Sequence, residues 1–300
     1  MGRRFYTLDV FTEEALKGNP LAVVLDTDGL GDARMQAIAR EFNLSETVFV
    51  FAPRSEVHAA QIRIFTPARE LPFAGHPTIG AACLIAHARA PDLLAAQDLR
   101  IVLEEEVGDF VCLVRHRKGR ALAADFEIPR LPERVDGAVP SDAEIGAALG
   151  LEPGDIGFDE HRPSLFTAGA PYLFVPVRSL AAVARARPGN APWTENGGPA
   201  TYLYTREVVE TGAAFHARMF AGGWGIPEDP ATGSAAAAFA GVVLAFDRLA
   251  EGKHALVIEQ GFEMGRQSRI VLGFEVQGGS LRSASIGGSA VIVSSGALDL

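Results

Sequence analysis

Short stretches of alternating apolar and polar residues run through most of the chain, and twice they give way to an unbroken apolar run. The alternating stretches 5–10, 22–25, 47–51, 60–65 and 110–114 are rich in β-branched and aromatic residues, which predicts strands. Strands are predicted again at 121–128, 172–177, 201–204, 213–220, 257–258, 268–276 and 290–293. Gly18-Asn19-Pro20 punctuates the first pair as a turn. Met35, Ile38, Ala39 and Phe42 recur at helical spacing, so 33–42 is an amphipathic helix. Ser141, with Glu144 three residues on, signs a capped helix over 141–149. The two runs, 79–88, apolar through Ala86, and 235–246, almost wholly apolar, are different in kind. A helix with no wet face must lie inside something, and here the only candidate wrapping is the strands.

The two runs are introduced by nearly the same words. Arg63-Ile64-Phe65 leads to His76-Pro77-Thr78-Ile79-Gly80, and Arg218-Met219-Phe220 leads to Asp229-Pro230-Ala231-Thr232-Gly233. The arginines lie 155 positions apart and the prolines 153, so the second loop is two residues shorter. Such an internal repeat predicts two homologous α/β halves, each a curled, mostly antiparallel sheet around one central hydrophobic helix. We expect an N-terminal half over 1–120, completed by a terminal strand at 288–300, and a second half over 121–287. The Pro- and Gly-rich stretch 130–140 is the expected linker, and 187–199 a surface loop.

Composition fits two globular cores: 300 residues, 48% hydrophobic and 21% charged. The formal charge of −10, without a dense basic cluster, excludes a nucleic-acid surface. Cys83 and Cys112 are too few for a disulfide framework or a metal knuckle and read as small core residues. No long apolar segment opens the chain, so neither a signal peptide nor a membrane span is expected, and the expected compartment is the cytoplasm. Walker and dinucleotide-binding glycine patterns are absent from the sequence. No cofactor is expected.

Candidate chemistry gathers where the two apolar helices begin. Proline is tolerated at the first helical position, which would put His76 and Asp229 at the N-caps. Asp229 is then a structural cap or a catalytic group, and His76, a poor cap, a satisfied loop histidine or a functional one. Gly80 and Gly233 permit close backbone approach, either to a substrate or to the neighbouring half, or simply serve helix–sheet packing. Ser234 can donate to a bound carboxylate or bond the preceding turn. Two helix N-termini offer aligned N–H groups and positive partial charge, suited to a small carboxylate and to enolate-like charge beside a carbonyl. Glu46 stands at the mouth of the apolar strand 47–51. A carboxyl entering such a wall holds its proton more tightly and serves as a general acid or base; in a solvated turn it does neither.

Several longer stretches are shared with a known family. Asp9-Val10-Phe11-Thr12, Gly18-Asn19-Pro20-Leu21-Ala22-Val23, Asn43-Leu44-Ser45-Glu46-Thr47 and Glu70-Leu71-Pro72-Phe73-Ala74-Gly75-His76-Pro77-Thr78 carry it in the first half. Gly225-Ile226-Pro227-Glu228-Asp229-Pro230-Ala231-Thr232-Gly233-Ser234-Ala235, Gln260-Gly261 and Met264-Gly265-Arg266 carry it in the second. In these the chain resembles the PhzF family of phenazine-biosynthesis isomerases, related in fold to diaminopimelate epimerase. The resemblance implies a cofactor-free isomerase, homodimeric, acting between its halves on a small cyclic or amino carboxylate of the dihydro-hydroxyanthranilate type. It further implies that Glu46 carries a proton from one carbon to another. His76 and Asp229, as further catalytic residues, and Ser234 would orient the substrate and steer the proton, aided by the Gly75 and Gly233 backbone. The chain departs from the pattern at Ala221-Gly222-Gly223-Trp224 and Gln267-Ser268, where the family often has proline. Two rival readings are an amino-acid racemase or epimerase, whose two-thiol mechanism fails because His76 and Asp229 stand where both cysteines would be needed, and a non-catalytic protein that binds small acids.

Overall fold

Two helices without a polar face organise the chain, and each collects its own strands. The computed structural model describes every residue except Met1, Arg117, Asn190 and Gly225. It divides into two units, one formed by Met1–Glu127 with Gly287–Leu300 and the other by Ile128–Ile286.

The first unit begins with β1 (Arg3–Val10), β2 (Asn19–Val24), α1 (Asp32–Phe42), β3 (Glu46–Phe51), β4 (Ala60–Phe65) and β5 (Glu70–Leu71). The central helix α2 (Gly75–Arg89) follows, then α3 (Pro91–Ala96), β6 (Leu99–Glu105), β7 (Gly108–His116) and β8 (Leu122–Glu127). Strand β2 runs antiparallel to β1 and parallel to β3; β4 is antiparallel to β3 and parallel to β6. Antiparallel β6–β7 and β7–β8 pairs carry the sheet on. The last strand of the chain, Ser280–Leu298, lies against β1 from Arg3↔Leu298 to Val10↔Ala290 and also pairs with β8. Eight strands thus close on themselves, which removes the exposed sheet edges. Inside, every residue of α2 from Gly75 to Ala86 is buried, packed on β1, β2, β3, β6, β7 and β8. Gly80 is what lets it sit so close. A Cβ there would stand 2.5 Å from Leu21 Cδ2 and 2.9 Å from Val10 Cγ2. Of the uses expected for this glycine, helix–sheet packing is the one observed.

The second unit repeats the plan with β9 (Glu133–Arg134), α4 (Asp142–Leu149), β10 (Ser164–Thr167), β11 (Pro171–Pro176), α5 (Leu180–Arg185), β12 (Ala200–Thr205), β13 (Phe215–Ala221) and β14 (Ile226–Asp229). Its central helix is α6 (Gly233–Phe246), followed by β15 (Gly252–Gln260), β16 (Ser268–Gln277) and the terminal strand β17 (Ser280–Leu298). The order of pairings echoes the first unit: β11 parallel to β12, β12 antiparallel to β13, β13 parallel to β15, β15 antiparallel to β16. The predicted capping box is present, Glu144 N donating to Ser141 Oγ and Ser141 N to Glu144 Oε2. Phe239 of α6 sits in a cage of aromatic rings from Phe174, Tyr202, Tyr204 and Phe215. At 192–197, inside the expected surface loop, the chain makes a 3-10 helix.

Candidate active site

In the first unit, α1 ends at Asn43, whose left-handed backbone (φ 50°) turns the chain into β3. Glu46 opens that strand, in register with Leu21 of β2, and is buried. His76 reaches it from α2, with Nε2 3.1 Å from Glu46 Oε2. Burial pushes the His76 imidazole down to about 3, so the ring is neutral, with one N–H to give and one lone pair to receive. The helix N-cap is Ala74 and not His76, which is the second helical residue, with Pro77 the third. The N–H groups of the whole first turn lack intrahelical partners, so proline marks the turn without fixing the residue. No side chain caps this end and no acid stands in its first turn, leaving the Gly75 and His76 N–H groups for an anion.

In the second unit the helix begins later. Asp229 ends β14, Thr232 is the N-cap, and Gly233 is the first helical residue. The displaced start has a visible cause, for Asp229 is held in an extended chain by its own neighbours. Thr232 Oγ1 donates to Asp229 Oδ2 at 2.6 Å, and Gln260 Nε2 donates to Asp229 O at 2.8 Å. Gln260 Nε2 also donates to Thr232 Oγ1 at 3.1 Å, and Gln260 Oε1 accepts from Thr232 N at 3.3 Å. Ser234, second in α6, has its Oγ 2.6 Å from the Tyr172 hydroxyl. The buried Tyr202 hydroxyl keeps its proton well above the usual phenol range, through burial and through the neighbouring Tyr172 and Asp229. As in α2, the first turn carries no acid.

Each unit therefore pairs an uncapped helix start with a buried carboxyl group, Glu46 or Asp229. Thr232 and Gln260 were not singled out from the sequence as functional, although both lie in motifs that were; Tyr172 gave no local signal at all. Cys83 and Cys112 are fully buried, and burial raises both thiols, so neither is a nucleophile at neutral pH. The departure at Trp224 cannot be placed, since that side chain and Gly225 lie outside the described residues. No cluster of three or more metal-ligating side chains occurs among the described residues, and no helix among them is long and apolar enough to cross a membrane.

The family described as phenazine biosynthesis-like protein, PhzC-PhzF, matches residues 8–296. An uncharacterized isomerase of Mesorhizobium japonicum is 50% identical over 304 residues, covering 99% of this chain and 98% of its own. The trans-2,3-dihydro-3-hydroxyanthranilate isomerase of Pseudomonas aeruginosa is 33% identical over 293 residues, 98% of each chain. Among solved structures, a phenazine biosynthesis protein of the PhzF family from Bacillus anthracis superposes with a TM-score of 0.86 at 25% identity, covering 100% of both chains. A hydroxyproline epimerase from Agrobacterium vitis, 12% identical with a TM-score of 0.63 over 99% of this chain and 90% of its own, shares the fold. The architecture is thus the one common to these isomerases and to proline racemase-like, diaminopimelate epimerase-like proteins.

Proposed function

The chain belongs to the phenazine biosynthesis-like PhzC-PhzF family of isomerases, and from that premise we propose that it moves a proton between carbons of a small carboxylate with Glu46 as the acid–base group. The substrate class is a cyclic or amino carboxylate resembling trans-2,3-dihydro-3-hydroxyanthranilate, the compound named for the Pseudomonas aeruginosa relative. Glu46 takes a proton from one carbon; the electron pair left behind delocalises towards an adjacent unsaturated or carbonyl group; the same carboxyl returns the proton to another carbon. Atoms and charge balance without a co-reactant.

The observation that carries this reading is the Glu46–His76 contact at 3.1 Å, buried beside an uncapped helix start. A carboxylate there is shielded from water, which suits proton transfer to and from carbon. The neutral imidazole steers it, and the Gly75 and His76 N–H groups offer an anion site for negative charge. Asp229 and Ser234, with the Gly233 backbone, are assigned to substrate orientation. Racemisation by two thiols is disfavoured because both cysteines are buried and neutral.

Incubation in heavy water with trans-2,3-dihydro-3-hydroxyanthranilate and a panel of proline-like and diamino acids, followed by NMR, tests the reading. Deuterium should enter a carbon position of at least one acid, and Glu46→Gln should slow that entry by about 10²-fold or more. Unchanged exchange in Glu46→Gln removes Glu46 from the chemistry. Binding of an acid without exchange favours a non-catalytic protein.

A further inference from the structure

The hydroxyl of Thr78, in α2 two residues beyond His76, stands between two oxygen atoms. Its Oγ1 lies 2.8 Å from the carbonyl oxygen of Ala74 and 2.6 Å from Oε1 of Glu105, the last residue of β6. A threonine hydroxyl has one proton to give, and a carbonyl has none. Both contacts can be full two-centre hydrogen bonds only if the carboxyl group brings a second proton; otherwise the single hydroxyl proton is shared between two acceptors. The other carboxyl oxygen, Glu105 Oε2, is buried with no polar partner among the described residues, a position hostile to a negative charge.

The second unit has a different residue at the matching strand end, again beside a threonine close to the start of its central helix. Gln260 lies 155 positions after Glu105 and likewise ends its strand, β15. Its Nε2 donates to Thr232 Oγ1, whose own hydroxyl donates to Asp229 Oδ2. The preceding residues correspond as well. Glu104 accepts from Arg54 N and Ser55 N and lies 2.9 Å from His58 Nδ1. Glu259, again 155 positions on, accepts from Val209 N and Glu210 N and lies 2.7 Å from His216 Nδ1. An amide donates to Thr232, the N-cap, in one unit; in the other a carboxyl group ends the matching strand and stands beside Thr78, the fourth helical residue.

We propose that Glu105 is held as a neutral carboxylic acid that donates to Thr78 and thereby positions the first turn of α2, with Gly75 and His76, for the reaction. Its relevance to catalysis rests on the role assigned above to His76; its protonation does not. Burial raises Glu105 to about 8, with the Thr78 bond opposing. The surrounding titratable groups are few. Cys83 of α2 and Cys112 of β7 are neutral through burial, as is His76, and Asp125 of β8 acts on Cys112. Arg54, Arg63, Glu70 and Glu106 line an open groove together with Glu105, which gives its proton a route to solvent. Ionised, Glu105 would need the Thr78 proton for itself. The Ala74 carbonyl would then keep only the long bond from Thr78 N, at 3.3 Å, and the turn bearing His76 would loosen.

Infrared spectroscopy of the full chain tests the protonation directly. At pH 6.5 the wild type should show a carboxylic-acid C=O band that is absent from Glu105→Gln and that fades as pH rises through about 8. Thr78→Val should move that band towards a free, non-hydrogen-bonded acid, which keeps the test decisive should Glu105→Gln fail to fold. The positioning role is read from the His76 ring resonances. In the wild type they should shift with the same midpoint, and in Glu105→Gln that shift should vanish while proton exchange at pH 6.5 is retained. A wild type without the band, a band unchanged in Glu105→Gln and in Thr78→Val, or a His76 shift common to wild type and Glu105→Gln overturns the proposal. Failure of every acid to exchange with the wild type would instead sink the isomerase reading and leave the infrared result standing.

Discussion

Gln260 donates from Nε2 to the main-chain oxygen of Asp229 at 2.8 Å, so the end of one strand fixes the end of another just before α6 begins. The same amide bonds Thr232, the residue that bonds the Asp229 carboxylate. Replacing the glutamine by alanine strands three buried partners at once. Gln260→Ala should cost on the order of 1–3 kcal/mol in urea titrations, and the exchange rate should fall through kcat as Asp229 loses its setting. A stable variant with undiminished turnover would show that Asp229 needs no such support.

His216 supplies a pH dependence of its own. It lies between Glu259 and Glu263, 2.7 and 3.1 Å from their oxygens. Burial pulls the imidazole down, but the two carboxylates outweigh it and raise the group to about 9. The folded state therefore holds this proton more tightly than the unfolded chain, where histidine titrates near the usual value of about 6.5. The stabilisation is complete below about 6.5 and is lost as pH rises through about 9. Denaturation midpoints should fall across that window in the wild type, and His216→Gln should flatten that part of the curve. Because Glu263 lies in the short 3-10 turn right after Gln260, the same window should also affect how Asp229 is held.

Both apolar helices were legible because nothing else in the chain lacks a polar face for so long. The run 79–88 lies within Gly75–Arg89, and 235–246 within Gly233–Phe246. The start of each helix was less legible. Proline fits anywhere in the first turn, and Asp229 is kept extended by Gln260, a residue remote in sequence. Strand β6 went unpredicted for a related reason. Its sequence ends in Glu104-Glu105, which reads as a solvated turn, yet both are buried. One is neutralised by Arg54 and lies beside His58, the other keeps its proton, and neither partner set is visible locally. The pairing of Glu46 with His76 could be anticipated from shared motifs, whereas the distance between them could not.

The repeated Arg-x-Phe words acquire a common use in the structure. Arg63 grips Glu70 side-on through Nε and Nη2, both at 2.6 Å, and Arg218 grips Glu228 in the same way at 2.7 and 2.9 Å. Each guanidinium also lies over the phenyl ring two residues on, Phe65 or Phe220. The copies differ in burial: the Arg218 side chain is 5% exposed and that of Arg63 is 28% exposed. Breaking the buried copy leaves Arg218 with only the more distant Glu263, 3.9 Å from its Nε, so Glu228→Gln should cost about 3 kcal/mol in denaturant titration. Glu70→Gln, at the more open copy, should cost about 1 kcal/mol or less. Equal costs would mean that burial does not separate the two.

Gly80 offers a way to disturb α2 without touching a polar group. Its missing Cβ is replaced in space by Leu21 Cδ2 and Val10 Cγ2, side chains of β2 and β1 that are themselves fully buried. With both side chains at 0% exposure, any retreat must be taken up by the packed core around them. Gly80→Ala should therefore destabilise the protein by about 1–3 kcal/mol despite alanine's better helix propensity. The helix must move away from β2, whose neighbour in the sheet is the strand that begins at Glu46. The Glu46–His76 separation should lengthen accordingly, and exchange should slow more than the loss of folded protein explains. A Gly80→Ala protein as stable and as active as the wild type would show that the β1–β2 face yields easily, and that the close approach is incidental to the placement of His76.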